Sequence, residues 1–310
     1  MKTIFSLKPM YALLVIAGCI LITSCDKEED NSLVAATFSS VISDIQQAPR
    51  LVNTFWTAGD AIGISGTSAG VVYANIKYVT TGAGGLFTVA EADNEIYYQS
   101  DERVSFTAYY PFTGTGGSAA GVITHEITAA DQLADAQPSI DYLYGTGAGS
   151  AENPEVKLHF DHCMSRVVLN FQAGSDFDAL PEKMECTVDG LVMQGSFDTS
   201  AGKAYVAEGE PAKSIALDVT STTAGARLLT LIVFPQSTPL VSVVVKVGEV
   251  NFHSTLEFKE GNGNPEVGLH PGRSYVFNVI VNKTGLSISE ANVNDWLPGN
   301  GSGDDVDANM

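Results

Sequence analysis

The sequence predicts an all-β protein of two antiparallel β-sandwich domains in tandem, and three observations carry that expectation. Short apolar runs alternate with polar residues at a period of two. Gly, Pro, Asn or Ser interrupts the chain about every ten residues. No stretch sustains a 3.6-residue apolar stripe; Ala129–Gln137 and Phe177–Met184 offer at most short helical turns.

Taken in order, Thr37–Ile42 is strand-like, and Gly59-Asp60 reads as a turn before a strand at Ile62. Val72, Ala74, Ile76 and Tyr78 share one face, as do Val104, Phe106, Ala108 and Tyr110, with Pro111 ending that strand because it cannot donate to a ladder. The same alternation marks Val156–Phe160, Val167–Phe171, Ile215–Val219, Leu229–Val233, Val241–Val247 and Tyr275–Val281. One apolar and one polar face per strand is the pattern of half-buried antiparallel sheets. The Gly-rich stretch Gly145–Gly149, followed by Ser150–Pro154, reads as a boundary, giving domains over 33–155 and 156–298 and a flexible tail over 299–310.

Composition narrows the function. Asp and Glu number 36 against 16 Lys and Arg, a formal charge of −20, while 45% of residues are hydrophobic. Such a chain folds, and without clustered Lys and Arg it is not expected to bind nucleic acid. Residues 1–24 form a targeting segment, with Lys2 and Lys8 ahead of the apolar run Met10–Ile22. That run is shorter than the roughly 20 residues that span a bilayer. Removing it takes away two Lys and no acid, so the mature charge is −20 − 2 = −22. Leu21-Ile22-Thr23-Ser24-Cys25 resembles a bacterial lipobox, which implies lipidation of Cys25 and an outer-membrane anchor. The acidic tether that follows, 25–32, resembles the surface-export signal of Bacteroidetes lipoproteins.

Catalytic patterns are incomplete. Gly63-Ile64-Ser65-Gly66 lacks the last glycine of a nucleophile elbow, since Thr67 stands there. His159, His162 and Cys163 are three donors within five residues with no second ligand pair at zinc spacing, and His125, His253 and His270 are distant. Asp304, Asp305 and Asp307 do not meet a calcium-loop pattern. No pair of carboxylates is singled out for glycoside hydrolysis. The expectation is therefore no catalytic residue, no metal and no cofactor. If Val167–Phe171 and Met184–Val188 form a direct hairpin, Cys186 faces Leu169 and cannot bridge Cys163.

Several segments together resemble the fimbrillin-like proteins of Bacteroidales, the type V pilus subunits and their lipoprotein relatives. They are Phe55–Ile64, Phe106–Phe112, Asp131-Gln132, Asp141–Tyr144, Leu158–Val167 as the opening strand of the second domain, Gly272–Val279, Ile288 and Asn294-Asp295-Trp296. The resemblance implies transthyretin-like, Greek-key sandwiches and a structural part for Trp56, Gly59, Asp60, Tyr109, Tyr110, Pro111, Phe112 and Trp296. It also implies maturation by an arginine-specific protease between Arg50 and Leu51, releasing residues 33–50 as a removable strand. A strand from another pilus subunit then fills the groove. Residues 297–304 carry proline and glycine but no alternating apolar run, so the tail is a poor donor, which suits a tip or accessory subunit with an adhesive role. Partners implied are other pilus subunits and a host or bacterial surface receptor or glycan. The rival expectation is a surface carbohydrate-binding lipoprotein.

Overall fold

The computed structural model describes residues 33–40, 56–82, 84–221 and 227–296. Its first strands are β1 (Val34–Ala35), β2 (Thr37–Ser40), β3 (Ala61–Ser68), β4 (Val71–Thr80), β5 (Leu86–Val89), β6 (Tyr97–Tyr98), β7 (Val104–Tyr110), β8 (Val122–Glu126), β9 (Leu143–Gly149) and β10 (Glu155–His162). Then follow β11 (Ser165–Ala173), β12 (Met184–Leu191), β13 (Gln194–Asp198), β14 (Lys203–Val206), β15 (Lys213–Asp218) and β16 (Thr220–Ser221). The last are β17 (Arg227–Val233), β18 (Leu240–Val247), β19 (Val250–Glu257), β20 (Arg273–Asn282), β21 (Gly285–Ile288) and β22 (Asn292–Asp295). The protein is all-β. Its described helices are two three-residue 3-10 turns; Ala129–Gln137 is mostly turn, and Phe177–Met184 is irregular chain leading into β12.

The first sheet differs from the expected open sandwich. It closes as a barrel in the order β10-β2-β5-β4-β3-β7-β9 and surrounds Phe38, Ile62, Ile64, Tyr78, Phe106, Val156 and Leu158. Nor is it wholly antiparallel, because β2 runs parallel to β10. Parallel neighbours need a long connection, and more than a hundred residues separate these two.

Residues on both sides of the boundary expected near 155 join one core. β10 pairs with β9 and puts Val156, Leu158 and Phe160 into the barrel core, so it does not open the second half. The Gly145–Gly149 stretch is a strand rather than a linker. A Cβ on Gly145 would lie 2.8 Å from the Phe160 ring, and one on Gly147 would lie 2.8 Å from Val156. Glycine at every second position is there to admit large side chains, not to loosen the chain.

In the remainder, the sheet β16-β17-β11-β20-β21, with β22 also on β20, shares one core with the sheet β15-β12-β18-β19. Val167, Leu169, Phe171, Tyr275 and Phe277 meet Cys186, Val188, Ile215, Val243 and Val245 there. A third sheet, β14-β13-β8, joins β8 to strands beyond residue 190. Val167–Phe171 and Met184–Val188 are connected in the other way the sequence left open, without a direct hairpin: β11 lies between β17 and β20, whereas β12 lies between β15 and β18. Cys163 and Cys186 are buried, free thiols that desolvation pushes up to about 12. We expect both to resist iodoacetamide at pH 8 in the folded protein and to react in urea, because the thiolate is the nucleophile. Rapid labelling of the native protein, read by mass, contradicts this burial.

Asn75 explains a smaller difference. Asn75 takes a positive φ of 51° where β3 and β4 slip register, and this bulge turns Val72 out to 70% exposure while Ile76 and Tyr78 stay inside.

Candidate functional site

The element that sets this barrel apart is its first strand. β2 joins two others that do not pair with each other: Thr37–Ser40 pairs with Glu155–Leu158 of β10, and Phe38-Ser39 with Phe87-Leu86 of β5. Backbone amides of Ala36, Thr37 and Ser40 donate to the carbonyls of Ile96 (2.8 Å), Pro154 (3.0 Å) and Gly85 (2.8 Å). Alternation decides the facing. Ala36 and Phe38 are buried, Thr37 is exposed and Ser39 half-buried. Phe38, with 0% exposure, meets Tyr78 and Phe106 edge to face, at centroid distances of 4.9 and 5.2 Å. Without β2 the other six strands form an open sheet with one unpaired edge on β5 and one on β10, beside the apolar space that Phe38 fills.

Trp56 closes the end towards which β2 runs. Its ring makes edge contacts with Phe87 of β5, Tyr110 of β7 and Phe160 of β10, with centroids 5.1 to 5.5 Å apart. Its buried indole N–H has no acceptor among the described residues. Gly59 turns at φ 97°, letting the Asp60 carboxylate accept from the Thr57 amide (2.7 Å) and the Tyr110 hydroxyl (3.2 Å). Burial first, then the Asp60 charge, drives the Tyr110 phenol well above its ordinary value. Tyr109 points the other way, into the second core, over a glycine: a Cβ on Gly63 would lie 2.4 Å from its ring. Half-buried Phe112 lies beneath the Lys77 ammonium at 5.3 Å, next to half-buried Pro111. Cys25, Arg50 and Leu51 lie outside the described residues.

The Asp131-Gln132 pair does something its sequence did not reveal. Asp131 accepts from the Thr128 amide and hydroxyl, both 2.7 Å. Burial pulls its carboxyl up, but these bonds and His125 at 3.3 Å outweigh it and leave it below the usual range. So held, Gln132 acts as a substitute strand: its Nε2 donates to the Ile232 carbonyl (2.8 Å) and its Oε1 accepts from the Ile232 amide (2.9 Å). Gln137 Nε2 donates to the Thr230 carbonyl (3.0 Å), and β16 pairs with Arg227 and Leu228. The edge of β17 is thus capped along its length. We expect Gln132→Ala to cost about 2 kcal/mol, because two buried backbone groups lose their partners. An unchanged urea midpoint refutes that role.

The His159–Cys163 cluster disperses. His159 is exposed, and the His162 ring stacks on Trp296 (3.9 Å, 9°) with Nδ1 2.7 Å from Asp141. Among the described residues no group of three or more His, Cys, Asp or Glu could hold a metal ion. Trp296 lies 5.3 Å from the Arg166 guanidinium, and its amide donates to the Gly272 carbonyl (2.7 Å). A polar cleft of about 150 Å³ lies between the 257–264 segment and β22.

The profile of a family described as "Fimbrillin-like" matches residues 49–296. The chain is 24% identical to a Bacteroides uniformis relative named "Putative fimbrium subunit Fim1C", over 96% of this chain and 98% of that one. A solved "putative cell adhesion protein" from Bacteroides ovatus has a TM-score of 0.73 at 27% identity, covering 86% of this chain and 99% of that one. The tip fimbrial protein Mfa3 from Porphyromonas gingivalis, with a C-terminal truncation, shares the fold at a TM-score of 0.50 and 7% identity, covering 85% and 99%.

Proposed function

The chain belongs to the fimbrillin-like family, and from that premise we propose that it is a lipid-anchored surface subunit of a fimbrium, which exchanges its first barrel strand for one supplied by another subunit. One observation carries the reading: β2 completes the barrel between β5 and β10, and in sequence it is separated from every other barrel strand by residues 41–55, which include Arg50. A strand leaving this slot frees main-chain groups on β5 and β10 and a pocket for alternate side chains, the two things an incoming strand needs. Cys25 carries the lipid, two tandem domains correspond to the two cores, and adhesion is the role at the cell surface. The reading favours a tip or accessory position, because residues 297–304, with Pro298 and three glycines, carry no alternating apolar run of the kind a donor strand needs.

The experiment is limited proteolysis of the full chain with an arginine-specific protease. Cleavage should fall after Arg50 and spare Arg103, Arg166, Arg227 and Arg273, the last three of which are paired in β11, β17 and β20. The cut chain should bind strands from other subunits and, alone, form short oligomers at most. Long filaments of this chain alone refute the tip or accessory position. A cut chain with no affinity for any strand refutes the exchange. The carbohydrate-binding alternative calls for exposed aromatic rings to stack on sugars. Among the described residues Tyr205 is the one exposed aromatic, which does not make a platform.

A further inference from the structure

Resting on the exchange reading above, we infer that the slot selects its incoming strand by a single aromatic subsite. The accepted segment carries a phenylalanine-sized ring where Phe38 now sits, with small side chains two residues to either side, as Ala36 and Ser40 are in the resident strand.

The walls of this subsite come from four strands. Tyr78 of β4 and Phe106 of β7 present their rings edge to face, and Phe87 of β5 and Val156 of β10 flank Phe38 across the ladders. All four residues follow Arg50 in the chain, so they stay when the first strand leaves. A smaller side chain there leaves a void between rings held by separate strands. The neighbouring positions have no such room. Ala36 is almost wholly buried with its amide on the Ile96 carbonyl, and beyond Ser40 the barrel is filled by Trp56 against Phe87 and Phe160. Thr37 and Ser39 alternate outward, and Thr37 is bound chiefly by its main chain, so identity there is free. The partner is therefore an extended segment of another chain, lying parallel to β10, with one aromatic residue in the inward phase. Residues 297–310 contain no Phe, Tyr or Trp, so those residues of a second copy do not meet this requirement.

The test uses the full chain cut after Arg50, with its first strand still seated, challenged by four synthetic peptides and read by native mass spectrometry. The first carries residues 33–43; the second has Phe38→Ala; the third interchanges Thr37 and Phe38, keeping composition while turning the ring outward. The fourth has Thr37→Lys. The first and fourth should bind within about threefold of each other, and the second and third about a hundredfold more weakly or worse. Refolding the cut protein from urea with each peptide present removes slow displacement as an explanation. If the alanine or interchanged peptide binds as well as the first, the aromatic subsite is overturned and the exchange reading stands. If no peptide enters by either route, the exchange reading falls, and the subsite with it.

Discussion

Phe38→Ala is expected to lower the stability of the intact chain by about 3 to 5 kcal/mol, the cost of removing a fully enclosed ring that its surroundings cannot replace. Tyr78 and Phe106 are anchored on β4 and β7, which pair with β3 on its two sides, so they cannot collapse into the space. Against a total stability of about 5 to 15 kcal/mol, such a loss unseats the strand in a measurable fraction of molecules. Urea unfolding should show the midpoint drop, and hydrogen exchange should show loss of protection in β5 and β10 first. Thr37→Ala, one residue away and facing out, should stay within about 0.5 kcal/mol of the parent. Equal effects at the two positions contradict the alternation on which the site rests.

Gly263→Ala is expected to cost about 3 to 4 kcal/mol, for two reasons that a control can separate. Its φ of 92° disfavours any side chain by roughly 1 to 2 kcal/mol. A Cβ there would also sit 2.1 Å from the Val293 carbonyl oxygen, a backbone atom that moves only if β22 moves. Val293 is held by the Asn262 carbonyl (3.1 Å) and Trp296 by the Gly272 carbonyl (2.7 Å), so displacing β22 loosens the last strand and its indole together. Acrylamide should therefore quench Trp296 more readily in a Trp56→Phe background. Gly209→Ala, at φ 79° with nothing within 4 Å of the added methyl, should show the backbone part alone. If the two alanines cost the same, the close approach to β22 has no weight.

The strands were legible because a half-buried sheet writes itself as a period of two, and Val241–Val247 or Tyr275–Val281 can be read in no other way. Which strands pair is another matter. Thr37–Ser40 meets Glu155–Leu158 across more than a hundred residues, and nothing in either stretch specifies the other. Barrel closure was missed for that reason. Gly145, Gly147 and Gly149 misled because glycine marks both loose chain and close packing, and only the aromatic and branched side chains opposite tell the two apart. Of the site, the aromatic residues around Trp56 stood out by size. Gln132 did not, since a glutamine that completes a sheet edge looks in sequence like any polar loop residue. The signal was its place beside Asp131, which fixes the turn that aims it.

The lengthwise seating of β2 between β5 and β10 also governs how the slot responds to tension. Its main-chain bonds run across the strand to both sides, so a pull along its axis loads them together in shear. A hairpin peeled from its free end breaks them one at a time. A pull applied at Leu33, ahead of β1 and β2, reaches this strand from its N-terminal end. Rupture under load follows the rate of unfolding rather than the equilibrium stability. A strand only a few residues long, locked sideways by an enclosed ring, is thus arranged to resist a pull along its axis better than its length suggests.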